Sequence, residues 1–165
     1  MSDYSFRPFE PDDVPAITAI YRPYVTDTVI SFELEAPDEA EMASRFARLA
    51  ELGHPVVIVE RGGEVIGYAY ASFYRVRPAY RFTCENSIYL RQDAVGRGIG
   101  GSLLRELMAQ SKAHGFTQMI AVITAERANS LRLHEKAGFR LVGRHEAIGY
   151  KFGRWLDVVH MQKAL

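Results

Sequence analysis

The stretch "AVGRGIGGSLL", residues 94–104, sets glycines around one arginine and runs directly into leucines at helical spacing. Gly96, Gly98, Gly100 and Gly101 lack a Cβ, so the backbone there can turn through positive φ and come close to a bulky ligand. From Ser102 onward Leu103, Leu104, Leu107 and Met108 repeat at the interval of one apolar helix face, and Gly115 supplies a stop. Upstream, "CENSIYL" (84–90) carries the β-branched and aromatic residues of a strand. The order strand, glycine turn, helix brings free N–H groups and the positive end of a helix dipole to the turn. That makes it an anion site, with phosphate as the commonest occupant.

A Walker loop would close on a lysine followed by Ser or Thr, and none stands here. Gly96, Gly98 and Gly101 do match the G-x-G-x-x-G dinucleotide fingerprint. A dinucleotide fold, however, needs several more strand–helix units after the fingerprint, whereas the remaining chain offers one strand, one short helix and a hairpin.

At 165 residues the chain predicts one domain with room for a sizeable core. Its 20 Lys and Arg balance 20 Asp and Glu, and no basic run interleaves with aromatics. This argues against nucleic acid or an anionic membrane as a partner, and for a small ligand. Cys84 is the only cysteine, which excludes an internal disulfide and a Cys-rich metal site, and no metal is expected. The early residues Asp3, Glu10, Asp12 and Asp13 are acidic, and no apolar run approaches the roughly 20 residues of a membrane span. The expectation is a soluble, cytoplasmic protein.

Local patterns predict a strand near Tyr4–Pro8, then a helix capped by Asp12 or Asp13 with Val14, Ile17, Ile20 and Tyr21 on one face. After a loop at Thr26–Glu35, residues 37–53 read as a helix with Met42, Phe46 and Leu49 inward, stopped by Gly53. Residues 55–74 read as a hairpin turning at Gly62-Gly63, and Phe82–Leu90 as a fourth strand. Beyond the glycine-turn helix come a strand at 118–124, a helix from Asn129 to Ala137 ended by Gly138, and a hairpin turning at Gly153-Arg154. The strands flanking the glycine-turn helix are expected to be parallel, because a helical crossover joins them.

"VGRGIGGSLL" followed by "ANSLRLHEKAGF" (128–139) resembles the pyrophosphate loop and following helix of the GNAT superfamily of N-acetyltransferases. With "FTCENSIYL" and "GYKFGRWLDVVHMQ", the resemblance sharpens to the phosphinothricin and methionine sulfoximine acetyltransferase branch and covers nearly the whole chain. It implies an α/β fold, a GNAT-like mixed central sheet flanked by helices, in a single domain over residues 1–165. It also implies acetyl-CoA as cosubstrate and transfer to the α-amine of amino acids whose side chain bears a tetrahedral phosphorus or sulfur. Val95, Gly96, Arg97, Gly98, Ile99, Gly100 and Gly101 would hold the pyrophosphate. The family loop usually opens with Arg or Gln where this chain has Val95, and Arg97 lies inside the loop instead. Backbone groups of Ile88, Tyr89 and Leu90 would bind the pantetheine amides like an added strand, and amides there could polarise the thioester carbonyl. Asn129 would bond the same arm, or act as a helix N-cap, and the two roles are compatible.

An amine attacks a thioester only as the free base, yet an α-amine is mostly protonated at neutral pH, so such a site needs a base. Glu85 is the candidate, because a charge between Cys84 and Asn86 in a sheet-like run is costly to bury without purpose, and the branch resemblance points to the same residue. An exposed glutamate, or one paired with an arginine such as Arg81, would look the same in sequence. His134 stands where many superfamily members keep a tyrosine that protonates the departing thiolate, and the branch has histidine there. The alternative is a histidine that only packs or touches the CoA arm. The acceptor carboxylate calls for a guanidinium; Arg75 aligns best with the branch's substrate arginine, with Val76 and Arg77 beside it. Phe32 and Tyr89 are candidates for the pocket wall. Lys151, a further substrate-site candidate, lies with Phe152 and Trp155 in a tail that in the branch helps close the neighbour's pocket in a homodimer. The alternatives are an acyl-CoA-binding sensor without turnover and a transferase for other amines, such as a polyamine or a protein N-terminus.

Overall fold

Val57, Ile58 and Val59 are consecutive and all fully buried, which a strand achieves only when both faces of its sheet are covered. The computed structural model, which describes residues 3–165, shows how. β1 (Ser5–Pro8) leads to α1 (Val14–Thr26) and α2 (Glu39–Glu51), followed by β2 (Val56–Arg61), β3 (Glu64–Phe73) and β4 (Thr83–Leu90). Then come α3 (Ile99–His114), β5 (Gln118–Thr124), α4 (Ala128–Lys136) and the hairpin of β6 (Arg140–Lys151) and β7 (Arg154–Ala164). The strands form one sheet in the order β1-β2-β3-β4-β5-β7-β6. All neighbours are antiparallel except β4 and β5, which the α3 crossover makes parallel.

Val57 and Val59 point to one face, where Leu103, Leu104 and Leu107 of α3 cover them together with Met119 and Cys84. Ile58 points to the other face and meets Ile17 and Val25 of α1, Phe46 of α2 and Tyr68. The mixed, helix-flanked sheet expected from the sequence is therefore present. Among the described residues, no helix is long and apolar enough to cross a membrane.

Several local expectations are corrected. α3 begins at Ile99 rather than Ser102, so Gly100 and Gly101 lie in its first turn, and positive φ in the loop is confined to Gly96 (81°) and Gly98 (80°). The β6–β7 turn is Phe152-Gly153, with φ of 52° and 74°, one residue earlier than expected. Asp13 heads α1 but does not cap it. Its carboxylate turns back to accept from the Glu10 N–H and to pair with Arg7 at 2.6 Å. Nor is Asn129 an N-cap: α4 starts one residue earlier, and the Asn129 side-chain Oδ1 accepts from Arg132.

The segment between α1 and α2 has no helix or strand yet is firmly tied. Thr124 Oγ1 donates to the Val29 carbonyl at 2.6 Å, Tyr21 Oη lies 2.7 Å from Ser31 Oγ, and Arg45 pairs with Glu33 at 2.7 Å.

Candidate active site

β4 and β5 pair over only three residues, Thr83–Glu85 against Gln118–Ile120, and then part. β4 continues along β3 to Leu90, while β5 continues along β7 to Thr124. The wedge between them is lined by Glu85, Asn86, Ile88 and His134. A groove adjoins it toward α3 and α4, sharing Ile88 and Ser130, and an outer chamber adjoins it toward β6 and β7, sharing Glu85 and Phe32.

Of the residues expected to hold a cofactor, Ile88, Leu90, Val95, Gly96, Gly98, Gly100, Gly101 and Asn129 line the groove. Gly98 occupies the N-cap of α3 in the left-handed region without any side-chain cap, and the first turn holds no acidic residue. The leading N–H groups and the positive dipole end are thus left for an anion, which fits a pyrophosphate. A Cβ at Gly96 or Gly98 would meet nothing within 4 Å, so the backbone dihedral, rather than crowding, requires glycine there. Three candidates do not line the groove: Tyr89 lines the wedge instead, Arg97 is exposed, and the Ile99 side chain is buried in the core at 2% exposure. Arg127, which sequence reasoning missed, lines the groove and supplies a cation that Val95 does not.

The three backbone candidates on β4 differ in kind. The Tyr74 N–H donates to Thr83 O and the Arg91 N–H to Ile66 O, so odd-numbered residues of β4 aim their backbone at β3. Tyr89 is therefore spent on the β3 ladder, and its ring packs at 4.9 Å from that of Tyr21 and 5.2 Å from that of Tyr24. Leu90 faces the gap, but its carbonyl accepts from the Tyr24 hydroxyl at 2.5 Å and its N–H donates to the same oxygen at 3.2 Å. That leaves Ile88 as the backbone aimed into the wedge.

Glu85 is half-buried, and this burial pushes its carboxyl above the usual range while Arg75 pulls it back. Arg75 stacks on Tyr74 at 4.6 Å and lines the outer chamber with Glu85. Arg81 instead lies over Phe82 at 4.3 Å and donates to Pro78 O, so the cation acting on Glu85 is Arg75. Arg77 and Val76 point to solvent, Val76 at 97% exposure, and line neither wedge nor outer chamber. Phe32 lines both.

Lys151 lies behind the Phe32 segment, not in the chamber. Its buried Nζ donates to the Ser31 carbonyl at 2.6 Å, and burial lowers its pKa while Glu33 raises it. A Cβ at Gly149 would come within 2.2 Å of the Phe32 ring, so glycine there and Lys151 together seat that segment against β6.

His134 is 2% exposed. Its Nδ1 lies 2.8 Å from the Ser130 carbonyl and its Nε2 3.1 Å from Asn86 Oδ1, while Asn86 Nδ2 donates to Ile120 O at 3.2 Å. With the Asn86 amide oriented this way, both ring nitrogens face oxygens, an arrangement only the protonated imidazole satisfies in full. Burial opposes that demand and lowers the pKa, the Ser130 carbonyl raising it in part. Asn86 was not foreseen from the sequence, where only its place beside Glu85 could have flagged it.

The chain that forms this glycine cradle and the wedge with the half-buried Glu85 is similar to known proteins. Residues 15–139 match the Acetyltransferase (GNAT) family. The chain belongs to this family. A phosphinothricin N-acetyltransferase of Alcaligenes faecalis is 45% identical over 155 residues, covering 93% of this chain and 79% of that one. An L-methionine sulfoximine/L-methionine sulfone acetyltransferase of Pseudomonas paraeruginosa (strain DSM 24068 / PA7) is 37% identical over 91% of this chain and 88% of its own length. Among solved structures, a GNAT superfamily phosphinothricin acetyltransferase from Sinorhizobium meliloti in complex with AcCoA superposes with a TM-score of 0.96 at 47% identity, over 99% of this chain and 89% of that one.

Proposed function

We propose that this chain is an N-acetyltransferase that moves the acetyl group of acetyl-CoA to the α-amine of a small amino-acid-like acceptor of the phosphinothricin, methionine sulfoximine or methionine sulfone type. The observation that carries this reading is the juxtaposition of Glu85 and Arg75 in one chamber that adjoins, through the wedge, the groove at the N-terminus of α3. The named activities of the relatives support the same acceptor class.

Acetyl-CoA supplies an acyl thioester, and its pyrophosphate would be held by the N–H groups around Gly98 and by Arg127. Arg75 pairs with the acceptor's carboxylate in the bidentate manner open to a guanidinium. Glu85 takes the proton from the acceptor's ammonium, directly or through one water, and its raised pKa suits that task. The Ile88 N–H, free in the wedge, can polarise the thioester carbonyl. As the C–N bond forms and the C–S bond breaks, the nitrogen gives up its second proton to solvent and the departing sulfur takes one from His134, whose Nε2 must first leave Asn86 Oδ1. We further read the chain as one catalytic domain working in the cytoplasm as a homodimer. Leu141, Ile148 and Tyr150, exposed along the edge strand β6, support pairing through that edge. Sedimentation at twice the 18.6 kDa chain mass is expected, and a monomer at micromolar concentration rejects the pairing.

The test is release of CoA from acetyl-CoA with a panel of acceptors: phosphinothricin, methionine sulfoximine, methionine sulfone, the decarboxylated analogue of one of them, and a polyamine. Turnover is expected with the amino acids and not with the last two. A decarboxylated amine as good as its parent amino acid overturns the acceptor class, and tight acetyl-CoA binding with no turnover on any amine identifies a sensor.

A further inference from the structure

β7 places Val158 and His160 on one face, and the register aligns Val122 with His160, Ile120 with Glu85, and Val158 with His145. Glu85, Ile120, Val122, Val158, His160 and His145 therefore share the sheet face opposite α3. This face lines the outer chamber, a cavity of about 720 Å³ that also contains Arg75. Within a largely aliphatic wall the two imidazoles stand edge to face, 4.9 Å apart at 75°. His160 is half-buried and His145 exposed at the rim. Of the two ring nitrogens of His160, Nδ1 is closed off from solvent with no hydrogen-bond partner among the described residues, which leaves Nε2 to meet a ligand. A histidine kept only for packing normally directs such an atom at a protein group, because an unpaired buried polar atom costs stability.

We propose that His145 and His160 form the subsite that reads the end of the acceptor's side chain, selecting side chains that terminate in hydrogen-bond-accepting oxygens on a tetrahedral sulfur or phosphorus. The inference rests on the amino-acid reading of the acceptor. With the amine at Glu85 and the carboxylate at Arg75, the third substituent of the α-carbon is left to run along the sheet face. Val122, Val158 and Ile148 suit a methylene stem, and the imidazoles are the polar groups this part of the wall offers to its end. A neutral imidazole donates one N–H, which suits a sulfone, sulfoximine or phosphinate oxygen and has no counterpart in a thioether.

His160→Phe and His145→Leu keep the wall filled while removing the donors. In the native enzyme, kcat/KM for methionine sulfone should exceed that for methionine by about tenfold or more, and each variant should lose about tenfold of that ratio, the effect of one site-specific hydrogen bond. KM for acetyl-CoA should not change. A ratio unaltered in folded variants, or an equal loss on both acceptors, overturns the subsite. A second readout is the imidazole nitrogen resonances of His160 and His145 in the CoA-bound enzyme. Methionine sulfone should shift them and methionine should not, and resonances that stay still also overturn the proposal. If the amino-acid reading itself fails, neither acceptor is turned over, and the resonances alone decide whether the imidazoles bind the sulfone.

Discussion

A carboxylate on a half-buried strand face titrates according to how much water it has lost and which cations remain near. For Glu85 burial raises the pKa and Arg75 opposes it, so the folded state holds this proton more tightly than the unfolded chain does. Its contribution to stability is therefore full below the ordinary glutamate pKa of about 4.3 and is lost as pH rises through the raised value. Glu85→Gln should consequently melt at or above the native temperature at pH 7 while turnover falls by roughly 10²- to 10⁴-fold, the worth of a general base. The acid limb of kcat/KM should disappear in that variant. In Arg75→Ala the same limb should move to higher pH, because the opposing cation is gone. A structural ion pair would do the reverse, losing stability and keeping turnover, so near-native turnover in a less stable Gln variant removes Glu85 from the chemistry.

A helix of 16 residues with glycine at both ends allows a local test of the anion site. Gly98 and Gly115 sit at φ of 80° and 110°, and a Cβ at either would meet nothing within 4 Å. Valine at either position therefore carries a comparable conformational cost, about 1–2 kcal/mol for the left-handed region. Only Gly98 belongs to the groove. Gly98→Val should raise KM for acetyl-CoA by about tenfold or more, and Gly115→Val should lower stability without moving it. Equal cofactor affinity in the two variants would remove the turn from the binding site.

Across the molecule, burial lowers the pKa of three histidines. His54 is wedged 4.5 Å from Phe73 and 5.4 Å from Phe116 with both ring nitrogens unpartnered, and after burial His114 lowers it further. His134 and His160 are lowered chiefly by burial as well. The unfolded chain binds these protons more readily, so stability present above the ordinary histidine pKa of about 6.5 is lost as pH falls through the depressed folded values. Melting temperature should decline from pH 7 toward pH 5. A separate decline should follow nearer pH 4 and below, where Glu33, held down by Arg45, and Asp13, held down by Arg7 against its burial, take up protons. His54→Leu should flatten the first step and melt no lower than native at pH 7, since it removes two unsatisfied polar atoms. Calorimetric scans across this range decide it, and an unchanged first step in the variant refutes the assignment.

The sequence by itself determined whatever is written in neighbours along the chain. The hairpin at Gly62-Gly63, the inward Met42, Phe46 and Leu49 of α2, β5 at 118–124 and the parallel β4–β5 pair all follow from periodicity, turn chemistry or crossover length. The glycine turn was legible for the same reason, although the helix start was misplaced because Gly100 and Gly101 resemble loop residues until they are seen inside the first turn of α3. Tertiary structure alone decided the rest of the site. It chose Arg75 over Arg81 beside Glu85, placed Asn86 on His134 across 48 residues, and set Lys151 on the Ser31 carbonyl across 120. It also opened the wedge at Glu85 and brought two histidines of one hairpin into a shared chamber. Such contacts depend on how whole strands are shifted and splayed against one another, and no local period or turn preference records that displacement.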